Sequence, residues 1–149
     1  MDKYLLDTNI IIILWNKHPE IINDLIEREK LIVLKEISEE LVLKERIVYK
    51  GQQVLSERFC KLLFSIIEID KSEFSKFLSI IEGKEFRKKN LSENDLLLLY
   101  ACYLNKSFIL VTEDKYLFNV SKDLLGEERV MSLKLMIKIF NSNHLSTGN

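Results

Sequence analysis

Four short apolar runs constrain this chain more than any other feature. They are Tyr-Leu-Leu at 4–6, Leu-Ile-Val-Leu at 31–34, Ile-Ile-Glu-Ile at 66–69 and Phe-Ile-Leu-Val at 108–111. None alternates strictly between apolar and polar residues, so none reads as a strand with one wet face. The stretches between them are long enough to hold helices, and Ile22, Leu25 and Ile26 recur at helical spacing. Strands buried on both faces and joined through helices form a parallel sheet with right-handed crossovers. The expected fold is therefore α/β, a three-layer α/β/α arrangement around a central, mainly parallel sheet of four to five strands. Residues 129–131 supply the candidate fifth strand. Only four glycines and one proline occur, too few for a barrel or sandwich built on many tight turns. At 149 residues and 47% hydrophobic content, the chain suits one domain with a real core. We expect that single domain over 1–140 and a flexible polar tail over 141–149.

Local signals divide the helical stretches. Asp7 or Thr8 caps a helix over 10–16, and Pro19 opens a second, reaching about Lys30. Ser38 starts a helix extending toward Tyr49, Gly51 breaks it, and 54–63 is helical again. Ser72 caps a helix over 73–81 that Gly83 ends. Ser92 and Asp95 make a capping box before residues 96–104, which are apolar on nearly every side and so belong inside the layers. Thr112 or Asp114 starts a helix ending near Gly126, and a last helix covers 133–140. Leu62, Leu63 and Phe64, with Ile66 and Ile67, read as core. The apolar excess at 10–15 and 74–81 offers a face for a homodimer or a partner helix.

Charge and cysteine content narrow the setting. A net charge of −1 excludes a protein that grips nucleic acid by bulk charge, though not a local basic patch. Cys60 and Cys102 are far apart and match no metal-ligand spacing, and Cys102 lies in an apolar run. That usage points to a reducing compartment. The run at 10–15 is too short to span a bilayer, which takes about 20 residues, and it lacks a signal-peptide cleavage site. A cytoplasmic protein with no membrane association is expected.

In open parallel sheets, chemistry gathers at the carboxyl ends of the strands. Asp7 follows the first strand directly, and Asp114 lies just beyond the fourth, in Thr112-Glu113-Asp114. Asp95 begins the buried helix, whose antiparallel return brings its N-terminus to the same edge. Glu40 falls in the first turn of the helix after the second strand, again at that edge. Each acid has a purely structural explanation. Asp7, Asp95 and Asp114 can act as helix caps, and Glu40, with Glu36, Glu39 and Glu45 nearby, can be a solvated helix residue. Together they point elsewhere. Clustered carboxylates raise one another's pKa, and a fold retains them when a cation offsets the cost. Hard divalent ions such as Mg²⁺ or Mn²⁺ suit an all-oxygen set and promote attack of water on a phosphodiester, singly or as a pair.

These residues carry a resemblance. Tyr4-Leu5-Leu6-Asp7-Thr8-Asn9 resembles the opening motif of PIN-domain nucleases. Glu93-Asn94-Asp95 with the following Leu96–Ala101 segment resembles the helix of their third acid, and Leu110-Val111-Thr112-Glu113-Asp114 resembles their fourth-acid segment. Residues 31–41 match the second-acid region loosely. The resemblance spans Tyr4 to about Phe118 and includes the VapC-type toxins of toxin–antitoxin pairs. It implies a PIN-like fold and a Mg²⁺- or Mn²⁺-dependent endoribonuclease with Asp7, Glu40, Asp95 and Asp114 as catalytic, metal-holding acids. Glu36 and Glu39 remain alternatives for the second acid. Asn9 would orient Asp7 or a water of the site, Thr112 would hydrogen-bond within it, and Glu93 and Glu113 would share or replace a role. The implied partners are RNA, a small antitoxin and a second copy of the chain. One departure stands out: Lys115-Tyr116-Leu117-Phe118 follows Asp114 where many members place a second acid and a closer aromatic. A catalytically inactive PIN-like scaffold that binds protein or RNA is the competing reading, since the Glu40 match is weak. A haloacid-dehalogenase phosphatase needs a second Asp where Asn9 stands. A phospho-receiver domain needs an acid pair where this chain has one acid followed by Thr8.

Lys84, Arg87, Lys88 and Lys89 precede the Asp95 helix and are candidates to contact RNA phosphates, with Lys44, Arg46 and Lys50 as additions. As a charge run, they also fit a solvated loop. Tyr49 and Tyr100 are candidates to stack on bases, although Tyr100 equally fits the core. His18 and His144 have no evident partner and receive no ligand role.

Overall fold

A computed structural model describes residues 2–45, 47–49, 52–82 and 91–147. Its organising element is β1 (Lys3–Leu6), which pairs in parallel on both sides. Tyr4 and Leu5 align with Leu31 and Ile32 of β2 (Leu31–Leu34), and Lys3 to Leu6 align with Phe108 to Val111 of β6 (Phe108–Val111). Short β5 (Ile66–Ile67) adds outside β2, and β7 (Val130–Met131) adds outside β6. The sheet is thus five parallel strands in the order β5-β2-β1-β6-β7. Every residue of β2 and β6 is buried, as expected for strands covered on both faces. Each fully buried aliphatic side chain in these runs contributes about 1.5–3 kcal/mol.

Helices cover both faces. α1 (Thr8–Lys17) leaves β1 through an Asp7 cap, and α2 (Pro19–Glu27) starts with proline in its first turn. α5 (Phe74–Glu82) packs Phe77 against Tyr100 of α6 (Glu93–Leu104), their ring centroids 5.1 Å apart. Six consecutive residues of α6, Leu97 to Cys102, are buried, which explains why that helix is apolar all round. Burial pushes the Cys102 thiol up to about 12, so it stays an inert core group. α7 (Lys115–Leu125) ends at Gly126, whose φ of +107° favours glycine.

Several expectations change. The second helix ends earlier than Lys30, at Glu27. α3 (Lys35–Lys44) starts directly after β2, so Ser38 is not its cap; the Ser38 hydroxyl donates to the Lys35 carbonyl from inside the helix. Glu40 therefore sits in the second turn rather than the first. The segments expected as helix up to Tyr49 and onward from Val54 instead form an antiparallel hairpin, β3 (Ile47–Tyr49) with β4 (Gln52–Val54), in register Ile47↔Val54. The β-branched Ile47, Val48 and Val54 favour that outcome. Only α4 (Glu57–Cys60) is helical beyond it, capped by Ser56 and followed by a 3-10 turn at Leu63–Ser65. Leu62 is buried, whereas Leu63 and Phe64 are exposed, because one side of this tight turn faces the core. Ile10, Ile11, Leu14 and Trp15 are also buried, so most of the apolar run at 10–15 is core and not a docking face. α8 (Leu133–Thr147) continues as helix past Phe140, the expected end of the last helix.

Candidate functional site

The chain steps from β1 outward to β2 and β5, then returns to the other side of β1 for β6 and β7. The carboxyl ends of β1 and β6 therefore flank a topological switch point, the place where such sheets bind ligands. A cleft of about 390 Å³ opens there, lined by Asp7, Thr8, Asn9, Glu40, Ser92, Glu93, Asn94, Asp95 and Asp114. All four expected acids are among the lining residues, each from a different part of the chain.

Local structure places each one. Asp7 caps α1: its Oδ1 accepts from the Thr8 amide at 2.7 Å, while Oδ2 accepts from the Thr112 hydroxyl at 3.1 Å. Asp95 caps α6 reciprocally with Ser92, the Ser92 hydroxyl accepting from the Asp95 amide and Asp95 Oδ2 accepting from the Ser92 amide, both at 3.1 Å. Asp114 caps α7 through Oδ1, which accepts from Tyr116 and Leu117 amides at 2.9 and 3.0 Å. For these three acids, cap and cleft residue are one role, because a helix that begins at a strand's carboxyl end has its cap at the site. The Thr112 hydroxyl also accepts from the Asp114 amide at 3.1 Å and so links two of the acids.

Glu40 is held differently. Its Oε2 accepts from the Thr8 hydroxyl at 2.8 Å and from the Asn94 side-chain amide at 3.1 Å. The chain neighbours of Asp7 and Asp95 thus grip the same oxygen, and Lys44 Nζ lies 3.7 Å from the other. Thr8 and Asn94 are contacts that the sequence analysis missed in this role. Their positions beside two acids were visible, but a pairing with a residue dozens of positions away has no local signal. Glu36 turns instead toward Lys71 at 3.2 Å, and Glu39 lines a neighbouring cavity with it. Glu93 lines the cleft. Glu113 does not: its carboxylate accepts from the Leu133 amide at 2.8 Å and caps α8, so it leaves the acid group. Tyr100 is core and unavailable for stacking. His18 has a neighbour after all, Glu20 at 3.6 Å. Lys84, Arg87, Lys88, Lys89, Arg46 and Lys50 lie outside the described residues, as do the side chains of Tyr49 and His144.

Electrostatics marks the cleft as strained by charge. Burial, then the Asp95 charge, hold the Asp7 carboxyl above its ordinary range, against the lowering effect of its two hydrogen bonds. Burial likewise raises Asp95, with Asp114 and Glu40 adding to it against the Ser92 bonds. Among the described residues no lysine, arginine or histidine pairs with Asp7, Asp95 or Asp114. The donor set fits a hard divalent cation in chemistry, being all oxygen and anionic, and among the described residues Asp95 Oδ1 and Asp114 Oδ2 accept no protein hydrogen bond. Among the described residues no three acids, histidines or cysteines stand close enough for one ion's shell.

A pH effect follows. A carboxyl raised in the folded state above its unfolded value binds protons more tightly when folded. Its stabilising contribution is present below the ordinary value of 3.8 and is lost as pH rises through the folded value. Thermal unfolding of wild type and an Asp7→Asn variant, measured across pH without divalent ions, should therefore diverge in the variant's favour as pH rises above that point. At neutral pH, Mn²⁺ should raise the wild-type Tm more than the variant's. Equal Tm differences at every pH would show that the cleft charge is not strained.

The PIN domain family pattern matches residues 4–123. No curated protein sequence matches the chain. Among solved structures, the chain is similar to PAE2754 from Pyrobaculum aerophilum, at 18% identity and TM-score 0.61, covering 94% of this chain and 96% of that one. It is also similar to a chain of VapBC-1 from nontypeable Haemophilus influenzae, at 21% identity and TM-score 0.53, covering 88% and 98%. Among the described residues no helix is long and apolar enough to cross a membrane. With the family pattern spanning most of the chain, including every residue that lines the cleft, the chain belongs to the PIN domain family.

Proposed function

We propose that this protein is a metal-dependent endoribonuclease that hydrolyses RNA phosphodiester bonds, with Asp7, Glu40, Asp95 and Asp114 as its catalytic acids. PIN domains are nucleases, and the observation that carries the reading here is that carboxylates from four separate chain segments line one open cleft. Mg²⁺ or Mn²⁺ held by these acids would supply Lewis acidity, which favours ionisation of water and offsets charge on a phosphoryl oxygen. The chain's own residues prepare that chemistry. Thr8 and Asn94 occupy one oxygen of Glu40 and fix its carboxylate. Thr112 ties Asp7 to the Asp114 segment, so those two acids keep their spacing. Asn9 lines the cleft beside Asp7, where its amide can orient a water or a phosphate oxygen.

The test is cleavage of a mixed-sequence RNA with Mn²⁺ and with excess EDTA. Cleavage that needs the metal and leaves 5′-phosphate ends supports the proposal. No cleavage under Mg²⁺ or Mn²⁺, together with no calorimetric Mn²⁺ binding at millimolar ion, would overturn it in favour of a non-catalytic PIN scaffold. A toxin role extends the proposal, supported by the chain's size and its likeness to a chain of VapBC-1. It brings with it a small antitoxin as partner, a homodimer as the assembly and the cytoplasm as the location. Growth arrest on expression, relieved by Asp7→Asn, is its expected signature.

A further inference from the structure

Behind the loop that carries Asp114 lies a second cavity, of about 330 Å³, lined by Thr112, Glu113, Lys115, Phe118, Asn119 and Ser132. Thr112 and the Glu113–Asp114 turn form the wall between it and the acid cleft, since the Thr112 hydroxyl touches both Asp7 and Asp114. Unlike the acid cleft, its lining is chiefly apolar, with half-buried Phe118 as the aromatic surface. Its polar groups are spare. Among the described residues neither the Asn119 amide nor the Lys115 ammonium has a side-chain partner, and both residues are exposed. The Ser132 oxygen accepts from the Leu135 amide at 3.1 Å, which leaves its hydroxyl hydrogen to donate. Glu113, whose carboxylate accepts from the Leu133 amide, lines both this cavity and a neighbouring one. That neighbouring cavity, of about 410 Å³, presents Lys17 and Lys134, which among the described residues have no ion-pair partners.

An aromatic face, an unpaired amide and a hydroxyl in one pocket, with lysines at its rim, match the parts of a nucleotide. Bases stack on aromatic rings, and side-chain amides pair with base edges in unstacked RNA. Lysines follow the phosphates. We propose that the cavity is a base-reading subsite, which takes the base of a nucleotide next to the cleaved phosphate. In it the base lies against Phe118, its edge is read by Asn119 and Ser132, and Lys115, Lys17 and Lys134 hold the flanking phosphates. The subsite rests on the reading of the acid cleft as a ribonuclease site and adds to it a source of sequence preference.

The test is fluorescence anisotropy of labelled rA, rC, rG and rU hexamers with the full chain in Ca²⁺. Asn119→Ala and Lys115→Ala are used because both side chains are exposed and make no bonds in the fold. Asn119→Ala should flatten the differences among the four hexamers, weakening the preferred one about tenfold. Lys115→Ala should weaken all four several-fold and lower the salt dependence of binding, without changing their order. Unchanged affinities and order in both variants, with wild type binding RNA, would overturn the subsite alone. A wild type that neither binds nor cleaves RNA would overturn the ribonuclease reading and the subsite with it. Phe118→Leu, which keeps an apolar side chain at this partly packed position, should weaken purine more than pyrimidine hexamers. Equal losses would remove the stacking role.

Discussion

Asp7→Asn should reduce RNA cleavage by about a thousandfold or more while the protein stays folded. On the proposed metal-dependent reading, loss of one charged metal-holding oxygen would remove several kcal/mol of stabilisation of the charge that develops in the transition state, and about 4 kcal/mol corresponds to a thousandfold in rate. Asn is the appropriate replacement because it preserves everything else Asp7 does. It caps a helix about as well as Asp, so α1 keeps the bond that the Thr8 amide makes now. Its amide can still meet the Thr112 hydroxyl. What changes is the charge, which burial and Asp95 already disfavour. Activity and stability should therefore move in opposite directions at neutral pH. The paired measurement is initial cleavage rate in Mn²⁺ with thermal unfolding in EDTA. A variant that retains a tenth of wild-type activity would show that Asp7 is only a cap.

Arg129→Ala should destabilise the fold by about 2–3 kcal/mol, from the loss of three charge-assisted hydrogen bonds to backbone carbonyls, or roughly 5–10 °C in Tm for a chain of this size. The Arg129 guanidinium donates to three backbone carbonyls, those of Cys102 at 2.7 Å, Asn105 at 2.8 Å and Phe108 at 3.0 Å. Two of these lie at the carboxyl end of α6, where carbonyls have no helical partner and carry partial negative charge. The third belongs to the start of β6. One side chain thus fastens the α6-to-β6 connection beneath the site. Arg129→Lys should recover little, because a single ammonium cannot reproduce the planar fork that meets three acceptors. Full rescue by lysine would mean that charge alone matters. Since Asp95 sits at the opposite end of α6, cleavage at low temperature should survive in Arg129→Ala while its thermal range shrinks.

The strands were legible because their sequence signal is composition, and composition does not depend on distant contacts. Leu31–Leu34 and Phe108–Val111 occupy the very residues that their apolar character predicts. The hairpin at 47–54 was not legible, since six ladder residues spaced around Gly51 carry too little pattern to outweigh a helical reading of their neighbours. Phe64 illustrates the same limit: hydrophobicity names a residue fit for the core, but a tight turn decides whether it gets there.

The sequence by itself determined the parallel sheet, the Ser92–Asp95 capping box, a choice of cap between neighbours at Asp7 or Thr8 and at Thr112 or Asp114, and the edge on which the acids gather. Each follows from local chemistry: a run buried on both faces, or a side-chain oxygen just before a helix or in its first turn. Only the tertiary structure decided which glutamate joins them. Glu36, Glu39 and Glu40 share one helix and one composition. Glu40 is distinguished because Thr8 and Asn94, brought from two other elements, converge on its Oε2, while Glu36 pairs with Lys71. Likewise Glu113 differs from Asp114 by one position but faces α8 instead of the cleft. Such choices depend on which donors the packing of distant segments delivers, and that information exists only once the sheet and its helices have assembled.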